Sequence, residues 1–386
     1  MNTKIRRRDF LRGSAVIASS TVLANSALVS NALAKESPAL LKPSYGPMPG
    51  IAKLNSNENP YGPSESAISA MLEASKKGAY YVDQSVAMLI DAIAERNSVD
   101  KTQISLSSGS SGVLTYAAFA ASGKGKILGP DLFWDTTAKA PQRGGAAKIK
   151  RAPKTADLSI DLDAIYDAID DDVAMVQITN PNNPTGRLLD AKELTEFCKK
   201  ASKKTIVLVD EAYNELTDDP EGNSMIPLVK EGYNIMVART FSKIYGMAGM
   251  RIGYMVGSGE LIELVNQFSL GNYALNQAGV AGALASYNDH KFLDYSRSKI
   301  VEAREMISSA IAGSNLNALP SVTNFMYVNL GNMNAEVFRQ NMSEHNVLIR
   351  GIYQDYDNWS RVSMGYIQDV EQYISALPKA LEASTT

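Results

Sequence analysis

The 386-residue chain is poor in the side chains that most often carry metal and redox chemistry: it has one cysteine, Cys198, and two histidines, His290 and His345. No disulfide can form within it, and no Cys/His metal cluster is available. An excess of charge of one sign is also lacking, since 38 basic and 41 acidic residues leave a formal net charge of −3. That balance gives no electrostatic case for nucleic acid or an anionic membrane as a partner. Catalysis must then rest on Lys, Asp, Tyr, Arg or a borrowed cofactor. With 45% hydrophobic and 20% charged residues, the composition is that of an ordinary soluble globular protein, long enough for a large core and two lobes.

Long apolar runs are missing too, and the nearest approach to one lies at the N-terminus. Residues 1–34 have a basic start, a moderately apolar middle and then Ala32-Leu33-Ala34, a small-x-small cleavage pattern. Arg7-Arg8-Asp9-Phe10-Leu11 resembles the twin-arginine export motif, a receptor-read address used for proteins that leave the cytosol already folded. Repeated Ser and Asn suit a permanent span of about 20 apolar residues poorly. Residues 1–34 are therefore expected to be a twin-arginine signal peptide, cleaved after Ala34, that delivers a bacterial protein to the periplasm with no stable membrane insertion. An uncleaved anchor or a cytosolic amphipathic helix are the alternatives.

What the mature chain does contain is a regular alternation. Short apolar strands are expected at 103–107, 126–128, 147–150, 174–178, 205–209, 235–238 and 252–256, with helices at 112–121, 161–169 and 191–200 between them. Such alternation predicts an α/β layer with a mostly parallel central sheet. From residue 259 onward longer helical stretches dominate, with short strands at 324–329, 347–350 and 361–363. This reads as a smaller α+β domain that also takes in the segment around Asn55. The expected division is an N-terminal arm and part of the small domain over 35–70, a large domain over 71–289 and a small domain over 290–386.

Ligands of an open parallel sheet gather beyond the carboxyl ends of its strands, and five segments there carry unusual residues. In SLSSGSSGVLTYAAFAA a strand runs through Ser107 to Gly112 into a helix, which is either a phosphate cradle or ordinary capping. In NPNNPTG two prolines constrain the turn and hold Asn183 at the strand end, though such loops also serve plain turn geometry. TIVLVDEAY ends a buried strand in Asp210-Glu211, where a carboxylate needs a cation or donor, or caps the following helix; Tyr213 lies close by. RTFSKIYGMAGMRIGY sets Lys243 and Arg251 among small, aromatic and apolar residues. A poorly solvated lysine loses proton affinity and becomes a nucleophile toward a carbonyl, giving a Schiff base, unless it merely snorkels from a helix start. The Arg251 fork suits a phosphate, with Ser242 adding a hydroxyl. In DNWSRVSMG, Arg361 either clamps a substrate carboxylate or forms a salt bridge. Taken together, a phosphate site, an aldehyde-binding lysine and a carboxylate for a ring nitrogen describe pyridoxal 5′-phosphate.

These residues resemble the fold-type I pyridoxal-phosphate aminotransferases of class I/II, most closely the histidinol-phosphate aminotransferase group. The resemblance runs in order through KLNSNENPYGPS, AYYVDQ, SSGSSG, NPNNPTG, VDEAY, TFSK, GMRIGY, TNFMYV, VLIRG and SRVSMG. It implies the PLP fold type I, with a large domain and a smaller α+β domain. Lys243 would be the cofactor-bearing lysine and proton carrier, Asp210 the partner of the pyridine nitrogen, and Tyr213 and Asn183 the binders of the ring hydroxyl. Ser110, Ser111, Ser242 and Arg251 would hold the phosphate, joined by Tyr81 from a second subunit, which implies a homodimer. Arg361 would bind the substrate carboxylate with Asn324 close to it, Asn59 would also contact substrate, and Arg350 would meet a substrate phosphate. Two positions depart from the group: GPDLFWDT offers Phe133, or else Trp134, where a tyrosine commonly stacks on the ring, and Ser110-Ser111 stands where an acidic residue is often found. The implied reaction is transamination between an amino acid or phosphorylated amine and a 2-oxo acid, with ping-pong kinetics. A decarboxylase of the threonine-phosphate type, a racemase or a lyase on the same scaffold is the alternative, and an exported binding protein without turnover a more distant one.

Overall fold

Strand order, more than strand content, decides where the functional residues meet. In the computed structural model, which describes residues 45–385, the regular elements belong to the unit that starts at Pro49. The signal peptide expected over residues 1–34 lies outside the described residues. The strands among the described residues are β1 (Ala52–Lys53), β2 (Ile104–Ser108), β3 (Lys126–Pro130), β4 (Lys150–Ala152), β5 (Val173–Thr179), β6 (Ile206–Asp210), β7 (Ile235–Thr240), β8 (Ile252–Gly257), β9 (Asn317–Ala318), β10 (Phe325–Asn329), β11 (Val347–Leu348) and β12 (Trp359–Ser363). Seven of them form one sheet in the order β2-β8-β7-β6-β5-β3-β4.

The sheet is mostly parallel. Only β8 runs against its neighbours, pairing antiparallel with both β2 and β7. Its central strands IVLVD and IMVART read as continuous apolar runs because helices cover both faces. Along β6, Val207 and Val209 enter one hydrophobic core while Leu208 enters the other, the alternation a pleated strand imposes. Asp210 follows Leu208 on that second face.

Strand ends fall within a residue or two of the sequence expectation, with one displacement. The strand expected at 147–150 forms instead at Lys150–Ala152, because its register is set by pairing with Leu128–Pro130 of β3. A short 3-10 turn at Lys101–Gln103, closed by reciprocal Asp100 and Gln103 capping bonds, delays β2 to Ile104.

The remaining strands make two small sheets beside the long C-terminal helices. β10 pairs antiparallel with β12 and β9, and β1 pairs parallel with β11. A bridge between Arg350 and Arg361 links the end of β11 to β12. The N-terminal segment beyond β1 therefore enters the C-terminal part of the fold. Among the described residues, no helix is long and apolar enough to cross a membrane.

Candidate active site

Because β8 is reversed, its first residues lie at the same edge as the last residues of β2 and β7: Ser108 faces Ile252 and Thr240 faces Gly253. That single reversal carries Arg251 to the edge where β2, β5, β6 and β7 all end. A cleft of about 310 Å³ opens there, lined by Ser110, Ser111, Thr179, Asn183, Asp210, Tyr213, Ser242, Lys243, Arg251 and Arg361, among others. Polar side chains from segments far apart in the chain thus converge on one space.

Lys243 follows β7 on a tight loop. Its Nζ donates to the Asn57 carbonyl at 3.1 Å and sits 5.3 Å from the Tyr213 ring centre. Asp210 ends β6, 3% exposed, and accepts one bond, from the Ala212 backbone N–H at 3.2 Å. Burial pushes its carboxyl up to about 7, with Lys243 opposing the shift. The adjacent Glu211 turns to the other side of the strand, where Arg239 grips it through Nε at 3.0 Å and Nη2 at 2.8 Å, with Ser224 and the Met225 N–H completing its shell. Of the two neighbouring carboxylates, one is fully satisfied and the other is kept for a ligand.

At the far end of the cleft the helix Ser110–Ser122 begins. Gly109 precedes it at φ 74°, and a Cβ there would run into the Arg251 guanidinium. The missing side chain lets Arg251 close over the helix start, where Nη2 donates to Ser111 Oγ at 2.9 Å and Nη1 to Ser242 Oγ at 3.5 Å. No carboxylate pairs with Arg251 among the described residues. Helix N–H groups, three hydroxyls and an unneutralised guanidinium make an anion site.

Arg361 ends the other side of the cleft. Its Nη1 donates to Asn183 Oδ1 at 2.7 Å and its Nη2 to the Asn55 carbonyl at 3.1 Å, while Nε has no acceptor. Burial lowers its proton affinity, and the nearby Arg350 adds to that. A buried guanidinium without an anionic partner is costly, so a carboxylate ligand is what this site lacks chemically. Asn183 serves two roles, since its Nδ2 also donates to the Tyr213 hydroxyl at 3.3 Å.

These donors fit pyridoxal phosphate. The Asp210 carboxylate has one backbone donor and suits a protonated ring nitrogen. The buried Thr179 hydroxyl, without a partner of its own, stands opposite Asp210 in the β5–β6 register. Arg251, Ser110, Ser111 and Ser242 suit the phosphate, and Lys243 the aldehyde carbon.

Several sequence expectations need correction. Phe133 is fully buried, packed onto Gly129 and beneath the Arg151 guanidinium, so it cannot stack on a ligand; Trp134 lines the cleft instead. Asn59 is outside the cleft: its Nδ2 donates to the Ile244 carbonyl at 2.8 Å and to Ser296 Oγ at 2.6 Å, which fixes the loop carrying Lys243. Asn324 is fully buried and reaches no ligand position; its Nδ2 holds the Asn57 and Glu58 carbonyls at 3.0 and 3.3 Å. Arg350 is exposed and outside the cleft lining, though bridged to Arg361 through the backbone. Tyr81 is not among these: expected at the phosphate cradle of a second subunit, it is 76% exposed and packs edge-on against Tyr273.

The sequence reasoning missed Asn57. Its φ of 54° is a left-handed conformation that Asn tolerates better than most residues, and it turns the carbonyl toward Lys243. Its Nδ2 donates to the Tyr213 hydroxyl at 3.1 Å, and its Oδ1 accepts from Ser363 Oγ at 2.8 Å. The run of three asparagines in LNSNENP was the available signal.

An open, mostly parallel sheet with a lysine, an aspartate and an arginine-capped anion cradle at its strand ends defines a pyridoxal-phosphate enzyme of fold type I. Residues 49–377 match the family Aminotransferase class I and II. Histidinol-phosphate aminotransferase 1 of Cupriavidus pinatubonensis is 34% identical over 86% of this chain and 89% of that protein. The histidinol-phosphate aminotransferase of Sinorhizobium meliloti, solved in complex with pyridoxal-5′-phosphate, superposes with a TM-score of 0.78 at 26% identity, covering 91% of this chain and 98% of that one. The L-threonine-O-3-phosphate decarboxylase of Porphyromonas gingivalis shares the fold, with a TM-score of 0.71 at 21% identity over 86% of this chain and all of that one. The chain belongs to the class I and II aminotransferase family, and it is a pyridoxal-phosphate-dependent transaminase.

Proposed function

We infer that the enzyme moves an amino group from an α-amino acid, or from a phosphorylated amine of the histidinol-phosphate kind, to a 2-oxo acid. The observation that carries this reading is Arg361, a buried guanidinium whose partners are neutral oxygens and whose Nε is unused. A substrate carboxylate supplies the missing charge in a bidentate geometry.

Bound pyridoxal phosphate supplies an electron sink for the pair released when the Cα–H bond breaks. Arg361 and Asn183 fix the carboxylate and so direct Cα toward Lys243. Lys243 Nζ, held by the Asn57 carbonyl at 3.1 Å, would hold the aldehyde end of the cofactor and, once released, would serve as the base for the proton at the substrate Cα. Asp210 keeps the ring nitrogen protonated, and Tyr213, held by Asn57 and Asn183, supports the ring hydroxyl. The first carbonyl product, an oxo acid or a phosphorylated carbonyl compound, would leave before the 2-oxo acid acceptor binds, with the amino nitrogen retained by the holoenzyme, giving ping-pong kinetics. Arg350 is bridged to Arg361 through the backbone but lies outside the cleft lining, so a phosphorylated substrate would meet it only by extending beyond the cleft.

Purified protein loaded with the cofactor, mixed with amino donors and several oxo acids, tests the reading. Amino transfer is expected, and Lys243→Ala is expected to abolish it and to remove the visible absorbance of the bound cofactor. Release of CO2 or inversion at Cα in place of transfer would replace the reading with a decarboxylase or a racemase.

The same reading includes a homodimer and export. Tyr80, Tyr81, Leu270 and Tyr273 are exposed together with Phe268, and a second copy would cover them and bring Tyr81 to the neighbouring phosphate cradle. Sedimentation of the mature protein as a monomer would overturn that part. The twin-arginine pattern supports a periplasmic location; N-terminal sequencing of the exported form should start near Lys35, and an intact N-terminus would count against it.

A further inference from the structure

Five charged side chains line the cleft: Glu58, Asp210, Lys243, Arg251 and Arg361. Four have work in the reaction. Glu58 does not, and its carboxylate forms an ion pair with Lys53. Both side chains stay wet, 43% and 30% exposed, so the pair is of the weak, exchangeable kind. The backbone beneath it is pinned, because Asn324 Nδ2 holds the Glu58 carbonyl and Arg361 Nη2 the Asn55 carbonyl. Only the carboxylate is free to turn.

Lys53 stands on the half-exposed side of its strand. It lies between buried Ala52 and Leu54, so it points to the opposite face of β1. In the parallel pairing Lys53 stands beside Leu348; the buried Val347 and Ile349 alternate with Leu348 and exposed Arg350. The alternation runs on past the end of β11 and turns Arg350 to the side of Leu348 and Lys53, and Arg350 is bridged to Arg361. For a substrate held between Arg361 and Lys243, the lining left for its distal end includes Ser56, Glu58 and Trp134.

Resting on the carboxylate-clamp reading of Arg361, we propose that the Lys53–Glu58 pair reads the charge at the distal end of the substrate. Glu58 stands in for a distal anion: with a neutral donor it stays on Lys53, and a distal carboxylate or phosphate displaces it and takes Lys53 and Arg350 as counter-ions. One cleft can then accept both singly and doubly anionic partners in alternate half-reactions, the displaced Glu58 carboxylate, 43% exposed, turning to water.

Calorimetric titration of the holoenzyme with three unreactive acids tests this: butyrate, with one carboxylate; succinate, with a second; and 3-phosphonopropionate, with a distal phosphonate. Glu58→Gln should tighten succinate roughly 3- to 10-fold, the size expected for removing one like charge at a wet site, and leave butyrate within about twofold. Lys53→Met should weaken succinate by a similar factor and again spare butyrate. A larger response for the phosphonate than for succinate identifies phosphate as the preferred distal group, and the reverse identifies carboxylate. Unchanged succinate-to-butyrate ratios in both variants, or wild-type protein that does not distinguish the two acids, would overturn the proposal. Arg361→Leu supplies the separate control: butyrate binding that survives it removes the clamp reading, whatever the ratios do.

Discussion

Replacing Asp210 by asparagine in the cofactor-free protein should stabilise it, and more so as pH rises. The native carboxyl titrates at about 7, raised by burial from its ordinary 3.8. A raised native value means that the proton is held more tightly when folded, so the contribution to stability is complete below pH 3.8 and is lost as pH climbs through about 7. The gap corresponds to about 4 kcal/mol at full ionisation, of which about 2 to 3 kcal/mol develops between pH 5 and 8. The substituted amide cannot ionise, so the Asp210→Asn protein should gain on wild type by that amount over the interval. Groups distant from Asp210 are common to both proteins and cancel in the difference. The assay is urea unfolding of both proteins, stripped of cofactor, at pH 5, 6, 7 and 8, comparing extrapolated free energies. Adding pyridoxal phosphate should reverse the order, because only the wild type can pair a ring N–H with a carboxylate. A stability difference that is flat with pH, or that shrinks toward pH 8, would refute the argument that Asp210 is a buried carboxylate kept for a ligand.

Trp134 and Phe133 should part company on mutation: Phe133→Ala costs about 3 to 5 kcal/mol of stability in a urea melt, whereas Trp134→Ala, at a half-buried ring packed against two hydrophobic clusters, costs less stability but weakens cofactor retention and shifts its absorbance. Gly109→Ala should lower phosphate and cofactor affinity by at least about tenfold, since it strains a φ of 74° and pushes Arg251 off the helix start; inorganic phosphate titration of the apoprotein reads it directly.

Much of the site was legible because the reaction needs particular functional groups at strand ends, and strand ends are marked by turn residues. NPNNPTG, VDEAY and TFSK each announce one. The stacking residue was not legible, since LFW offers two aromatics and periodicity cannot say which is inward; the answer came from Gly129, whose bare backbone receives the Phe133 ring. Asn59 and Asn324 carry the right chemistry for ligands but spend it on backbone carbonyls. Asn57 carries the same chemistry in the same run of asparagines, and only its left-handed backbone and its bonds to Tyr213 and Ser363 made it the hub.

By itself, then, the sequence determined the chemical inventory and the α/β pattern: a lysine, an aspartate and two arginines in apolar settings, between strands short and apolar enough to be buried on both faces. Only the tertiary structure decided which of these meet. The antiparallel course of β8 brings Arg251 to the edge where β2 and β7 end, strand alternation turns Asp210 into the cleft and Glu211 away from it, and pairing of β1 with β11 lays the Asn55–Glu58 segment across Arg361. Such juxtapositions depend on strand order and register, which arise from packing between segments far apart in the chain and leave no local mark on the residues they unite.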